Sequence, residues 1–169
     1  MIKTWAMFED YSTRSKLVLF LARLESGARG AEMLHLDDLL TGLIIEDQNA
    51  IPSALAKRGM TGELMVLPQH QPFLPPDAAN SVLEMIRESA PRSEPIPQSK
   101  DMSISPDLRE ILATASNLKE ELNSKEVTPL HLLTVMIRGA HIGAQAVRDC
   151  GITEENLLTA IRREDQGSV

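Results

Sequence analysis

The feature that most narrows what this chain can fold into is an internal echo: moved along itself by 93 positions, the sequence meets itself again. That register aligns Ser12 with Ser105, Leu19 with Leu112, Ala22 with Ala115, Leu39-Leu40-Thr41 with Leu132-Leu133-Thr134, and Ile44 with Ile137. With one residue dropped from the following loop, it also aligns Ala54 with Ala146, Gly59 with Gly151, Thr61 with Thr153 and Glu63 with Glu155. Scattered identities arise by chance in Leu/Ala-rich sequence. These fall on matching positions of one helix pattern, caps included, which is the mark of two units stacked to share a core.

Each unit reads as four short helices. The first follows a Ser N-cap, Ser12 or Ser105, and in the second unit Pro106 takes the first helical position, where its missing N–H costs nothing. Its apolar stripe is Leu17, Leu21 and Leu24 with Phe20 beside them in unit one, and Leu108, Ile111, Leu112, Ala115 and Leu118 in unit two. Gly27 and Gly30, or Asn123 and Ser124, punctuate the turn that follows. A second helix begins near Leu36 and near Thr128-Pro129, with the shared Leu-Leu-Thr at its centre. A short third helix, Ile51 to Lys57 or Ala144 to Cys150, ends at Gly59 or Gly151, which readily takes the left-handed C-terminal conformation. Thr61 and Thr153 cap a last helix, clear in unit two (Leu157, Leu158, Ile161) and weak in unit one.

Between the units, residues 66–103 hold seven of the ten prolines, which rules out continuous helix there. Within that span Ala78, Val82, Leu83, Met85 and Ile86 form an amphipathic pattern opened by Pro75-Pro76, so a helix is expected over Asp77 to Glu88, as an insert across the repeat pair. The tract Pro91 to Asp101 is expected to be exposed and mobile. The chain is thus read as one all-α domain over 1–169, with repeat one at 11–66, a Pro-rich linker at 67–103 and repeat two at 104–163. Aromatics are only 3% of residues, so the core is aliphatic, which suits packed helices better than a sheet.

A net charge of -7 with no Lys/Arg cluster argues against nucleic acid as a partner. The single cysteine, Cys150, cannot form an intramolecular disulfide and leaves no Cys-based metal site, which fits a reducing compartment; cytoplasm is the expected location. The N-terminal stretch is too acidic and broken for a signal sequence, and nowhere do about eighteen apolar residues run together as a membrane span would need.

The stretch Tyr11-Ser12-Thr13-Arg14-Ser15-Lys16-Leu17-Val18-Leu19-Phe20-Leu21-Ala22-Arg23 resembles the opening helix of the Clp N-terminal repeat. Val127-Thr128-Pro129-Leu130-His131-Leu132-Leu133 is similar to that family's Gly-Thr-Glu-His-Leu-Leu segment. The resemblance implies a pseudo-symmetric bundle of eight helices that receives adaptors and substrates of Clp-type AAA+ unfoldases. With no Gly-x-x-x-x-Gly-Lys-Ser/Thr loop, the chain is expected to be a free-standing double repeat or an excised domain, without ATPase or other catalytic activity and without a cofactor.

Some members of that family hold phosphorylated arginine with a carboxylate at the start of the Leu-Leu helix and the Ser/Thr cap. The resemblance therefore implies a ligand site at Ser12 with Asp37 in repeat one, and at Ser105 in repeat two, where Leu130 stands in place of the acid. The plainer reading is that the serines cap helices and Asp37 and Asp38 favour a helix N-terminus. His131 is read as a helix-start histidine bonded to backbone, and His35, His70 and His141 lack metal-ligand spacing. Cys150 is read as a small buried apolar residue, and Met33, Met60, Met65, Met85, Met102 and Met136 as core filler or adaptable contact surface. The expected function is a non-catalytic module docking peptide segments, adaptors, substrates or a Clp ATPase subunit in the groove between the repeats. The competing reading is a structural or regulatory scaffold that oligomerises, with the linker helix covering that groove; the sequence leaves the oligomeric state open.

Overall fold

Ser, Thr and Pro at the helix heads set the architecture. The computed structural model describes residues 8–60, 68–97 and 99–167, and among these residues eight helices form. Repeat one supplies α1 (Thr13–Ala28), α2 (Leu36–Asp47) and α3 (Ile51–Lys57); α4 (Pro76–Ser89) follows, and repeat two supplies α5 (Pro106–Glu121), α6 (Pro129–Met136), α7 (Ile142–Asp149) and α8 (Glu154–Gly167). Two two-residue strands, β1 (Met33–Leu34) and β2 (Ser103–Ile104), pair in parallel.

The 93-residue register reappears as matched bonds across a pseudo-two-fold relation. Leu34 pairs with Ile104, and its counterpart bridge joins Tyr11 to Val127, so the segment entering the first helix of each repeat lies beside the segment entering the second helix of the other. The Ser12 N–H donates to Val127 O at 3.0 Å, and the Ser105 N–H to Leu34 O at 2.9 Å. Thr41 Oγ1 donates to Asp37 O, as Thr134 Oγ1 does to Leu130 O. In each case the corresponding residues of the two bonds are 93 positions apart. Backbone groups left over at one repeat's helix entrances are thus satisfied by the other repeat, which ties the two into one body.

The Leu-Leu-Thr helices α2 and α6 pack on each other at the centre. Leu39, Leu40, Ile44, Leu132 and Met136 are fully buried there with His131, in a core that also takes in α1, α4, α5 and α8. Tyr11 seals the seam: its ring meets Phe8 edge-on at 5.1 Å and its hydroxyl donates to Leu112 O in the other repeat at 2.8 Å. Burial raises the pKa of that phenol well above its ordinary value, so it stays a donor. A satellite cluster of Leu21, Leu24, Ile45, Ile51 and Leu55 lies under α3.

Several expectations shift. The inner face of α1 runs along Val18, Leu21 and Ala22, while Leu17 is half-buried and Phe20 is 41% exposed. Helix α7 starts at Ile142 because His141 caps it, and α8 extends past 163 to Gly167. Helix α4 packs against α7 of repeat two and against α2 of repeat one, and buries Ala79, Val82 and Ile86. The tract after it is exposed but anchored to the end of α1: Ser93 N–H donates to Arg29 O, Ile96 N–H to Gly27 O, and Arg23 to the carbonyls of Pro97 and Lys100. Helix C-termini present unsatisfied carbonyls, and an extended proline-rich strand offers its few N–H groups to them. Cys150 is exposed rather than buried, because it falls at the C-cap of α7, one residue before the left-handed Gly151 (φ 86°). Gly59 takes the matching conformation (φ 74°). Thr61, Glu63, Met65 and the weak last helix of repeat one lie outside the described residues.

Candidate functional site

The residues singled out by resemblance are placed by the helix entrances. Ser12 and Ser105 are buried N-caps: Ser12 Oγ accepts from Ser15 N–H at 3.1 Å and Ser105 Oγ from Leu108 N–H at 3.2 Å. Ser12 Oγ also donates to Ser15 Oγ, whose own hydroxyl donates to Val127 O. Asp37, in the first turn of α2, leans toward the other repeat. Its Oδ1 is 3.4 Å from His141 Nδ1, and a Cβ on Gly143 would sit 2.8 Å from the same oxygen. The carboxylate therefore faces the N-terminal turn of α7, where the helix dipole favours negative charge. Leu130 stands among Leu43, Ile44, Leu74 and Leu133 in a pocket of about 20 Å³, so the seam between the repeats is packed there rather than open as a groove.

His131 and its counterpart Asp38 perform one job with different chemistry. Asp38 Oδ2 accepts the His35 N–H at 2.9 Å, and His131 Nδ1 accepts the Thr128 N–H at 3.0 Å. An Nδ1 that accepts leaves the proton on Nε2, which faces Ser124 Oγ at 3.0 Å; Ser124 in turn donates to Asp165 Oδ2 at 2.7 Å. A serine lying between the histidine and the acid, with its own proton committed to the acid, is no activated nucleophile. Burial lowers the His131 pKa and so favours the neutral ring. Asp38 also receives Arg29 through three hydrogen bonds of 2.7 to 3.0 Å.

A second polar knot joins α1, α2 and the loop before α4. Buried Glu46 accepts from Arg14 at 2.7 and 3.0 Å and lies 2.8 Å from His70 Nε2, and Arg14 also approaches Glu164 at 3.7 Å. An acid, an imidazole and a guanidinium meet here and bond one another, and the pocket that Arg14 and Glu46 line has a volume of only about 20 Å³, too small for a substrate. Among the described residues, no group of three or more His, Cys, Asp or Glu is placed to hold a metal ion.

The open concavity lies on repeat one. A cavity of about 930 Å³ is bounded by α1, α2, α3 and α4, with Ala28, Ile45, Ala54, Leu83 and Ile86 as its apolar lining. The Arg29–Asp38 pair and Thr41 contribute to its walls; Lys57 and Arg58 approach from α3, Glu84, Arg87 and Glu88 from α4, and Arg92 from the tract beyond. Sequence reading missed this site because its residues are scattered over 25–92 and meet only through the packing of four helices. A faint signal was the clustering of Lys57 with Arg58 and of Arg87 near Arg92.

The described residues thus form a double-repeat helical bundle with this open surface concavity and a second one, of about 800 Å³, between the segment that follows α1 and the tract after α4. Comparison with solved structures gives that architecture its place. A structure from preliminary structural investigations of a malarial protein secretion system is 17% identical, covers 95% of this chain and 97% of its own, and superposes with a TM-score of 0.68. The N-terminal domain of the caseinolytic protease associated chaperone ClpD from Arabidopsis thaliana is 20% identical, covers 93% of this chain and 98% of its own, with a TM-score of 0.58. The chain has the fold of a Clp N-terminal domain. No family model and no curated protein matches its sequence. No described helix is long and apolar enough to cross a membrane.

Proposed function

We propose that this protein is a non-catalytic interaction module of a Clp-type chaperone or protease system that docks peptide segments of adaptors, substrates or an AAA+ subunit. The observation carrying this reading is the 930 Å³ concavity on a Clp N-terminal fold: it is large, open and apolar at its base with charged walls, whereas the Arg14–Glu46–His70 and His131–Ser124–Asp165 clusters bond within themselves. Recognition sites combine an apolar base with a few placed polar groups. Helix α4 is a wall of this concavity, which supports binding; its contacts with α7 and α2 favour as second reading the scaffold alternative, in which α4 covers the seam between the repeats. A reducing, cytoplasmic setting is part of the proposal and fits the single exposed thiol.

A peptide array probed with the purified chain, followed by amide-shift mapping of the hits, tests the reading. Binding mapped to α3, α4 and the end of α1 supports it; an array without a binder at about millimolar affinity overturns it. Of Ser12, Asp37 and Ser105, the proposed secondary ligand site keeps Asp37 with Ser105, because Ser105 bonds to Leu34 at the entrance of α2 whereas Ser12 bonds to Val127 at the entrance of α6, where Leu130 supplies no carboxylate. Titration with free phosphoarginine separates the outcomes. Shifts confined to the surroundings of Ser105 and Asp37 and lost in Asp37→Ala establish that half-site, and silence at about millimolar concentration removes it.

A further inference from the structure

The charge around the repeat-one concavity runs against the charge of the whole molecule. The chain carries 24 acidic and 17 basic side chains, yet the concavity gathers five of those bases, Arg29, Lys57, Arg58, Arg87 and Arg92, against four acids, Glu25, Asp38, Glu84 and Glu88. Two bases are neutralised in place: Arg29 by Asp38 at 2.7 Å and Arg58 by Glu25 at 3.1 Å. Lys57, Arg87 and Arg92 form no ion pair among the described residues and are exposed. The two unpaired acids, Glu84 and Glu88, lie four residues apart and so share one face of α4, whereas Lys57 and Arg92 approach from α3 and from the tract after α4.

We infer that the occupant of this concavity is an acidic peptide segment carrying an aliphatic anchor, seated against the apolar base with its carboxylates toward Lys57 and Arg92 and away from the Glu84–Glu88 face. This rests on the peptide-docking reading above and assigns the chemistry of the partner. A body with net charge -7 repels an acidic segment over most of its surface, so a concavity with three unpaired bases against two unpaired acids is where such a segment is tolerated. The aliphatic anchor follows from the lining, in which Leu83 is half-buried and Ile45 and Ile86 lie beneath. The acidic face of α4 gives direction, because it confines the carboxylates to the opposite wall.

The test uses the full chain and three labelled twelve-residue peptides with the same leucine spacing, bearing Glu, Gln or Lys at the intervening positions, read by fluorescence anisotropy at low salt. The Glu peptide is expected to bind about tenfold more tightly than the Gln peptide and the Lys peptide most weakly, with the preference shrinking severalfold at about 0.3 M salt. Lys57→Glu with Arg92→Glu should erase the preference for Glu. Glu84→Gln with Glu88→Gln should tighten the Glu peptide about two- to threefold. All four positions are exposed, so the variants are expected to keep the wild-type helical circular dichroism, and amide shifts on α3, α4 and residue 92 should locate the bound peptide. Equal binding of the Glu and Gln peptides, a preference for Lys, or shifts elsewhere overturns the inference. If the Gln peptide binds at the concavity and charge changes alter nothing, the assignment of an acidic partner fails while peptide docking stands; if none of the peptides binds and the array is also blank, both fail.

Discussion

At the scale of single residues, the buried leucines and the one neutral histidine carry the clearest consequences. Leu39 and Leu132 are each 0% exposed at the α2–α6 contact, so Leu39→Ala and Leu132→Ala should each cost about 2 to 5 kcal/mol in urea denaturation. Costs under about 0.5 kcal/mol would place them outside the core. His131 gives a pH signature. Its folded pKa lies below the ordinary 6.5, so the unfolded chain takes up a proton that the folded ring refuses, and stability declines as pH falls below about 6.5. Glu164, raised chiefly by burial, works in the opposite sense at lower pH, because the folded state then binds the extra proton more readily. The histidine contribution is therefore the difference between wild type and His131→Gln in melting temperature from pH 7.5 to 5.5, and the variant should show the shallower decline. Equal slopes would show that the ring is not held neutral. The role of His131 was readable in sequence as a helix-start histidine, but its Ser124–Asp165 chain was not, since Asp165 lies on a different helix and meets it only in the fold.

At the scale of elements, the repeats differ where their first two helices cross. Among the described residues, helices α1 and α2 make the most extensive pairing, and they approach so closely at Gly42 that a Cβ there would sit 2.5 Å from Val18 O and 3.2 Å from Ala22 N. Repeat two carries Val135 at the corresponding position. Copying that choice by Gly42→Val should therefore destabilise the protein by more than about 3 kcal/mol, because both obstacles are backbone atoms and the helices must move apart. Val135→Gly should cost less, by loss of a buried side chain and of helix propensity, about 2 to 3 kcal/mol. A tolerated Gly42→Val, measured by chemical denaturation, would mean that the two helices stand farther apart. The same crossing explains why the inner face of α1 is Val18, Leu21 and Ala22, leaving Phe20 outside: small residues and helix backbone, rather than the largest apolar side chain, fit against Gly42.

At the scale of the molecule, the reciprocal pairing of helix entrances and the shared α2–α6 core should make unfolding a single event. One cluster of buried residues runs through both repeats, and Ser12–Val127 and Ser105–Leu34 bonds would have to open together. Coincident thermal transitions by circular dichroism and calorimetry, with calorimetric and van't Hoff enthalpies equal, are expected. Two separated transitions would show that the repeats fold independently.

What the sequence by itself determined is what local chemistry and periodicity encode: helix caps at Ser12, Ser105 and Thr128, helix stops at Gly59 and Gly151, an aliphatic all-α core and the 93-residue register, which reappears bond for bond between the repeats. A repeat is legible because matching local signals recur at one spacing, whatever the distance between them in space. Tertiary packing decided the rest. It turned Asp37 toward His141 and α7, filled the seam around Leu130, built α4 into the bundle, and gathered Lys57, Arg87 and Arg92 around one concavity. Which side chains face one another across non-adjacent helices depends on crossing geometry, and that is set by close contacts such as Gly42 on Val18, which appear in no local window of sequence.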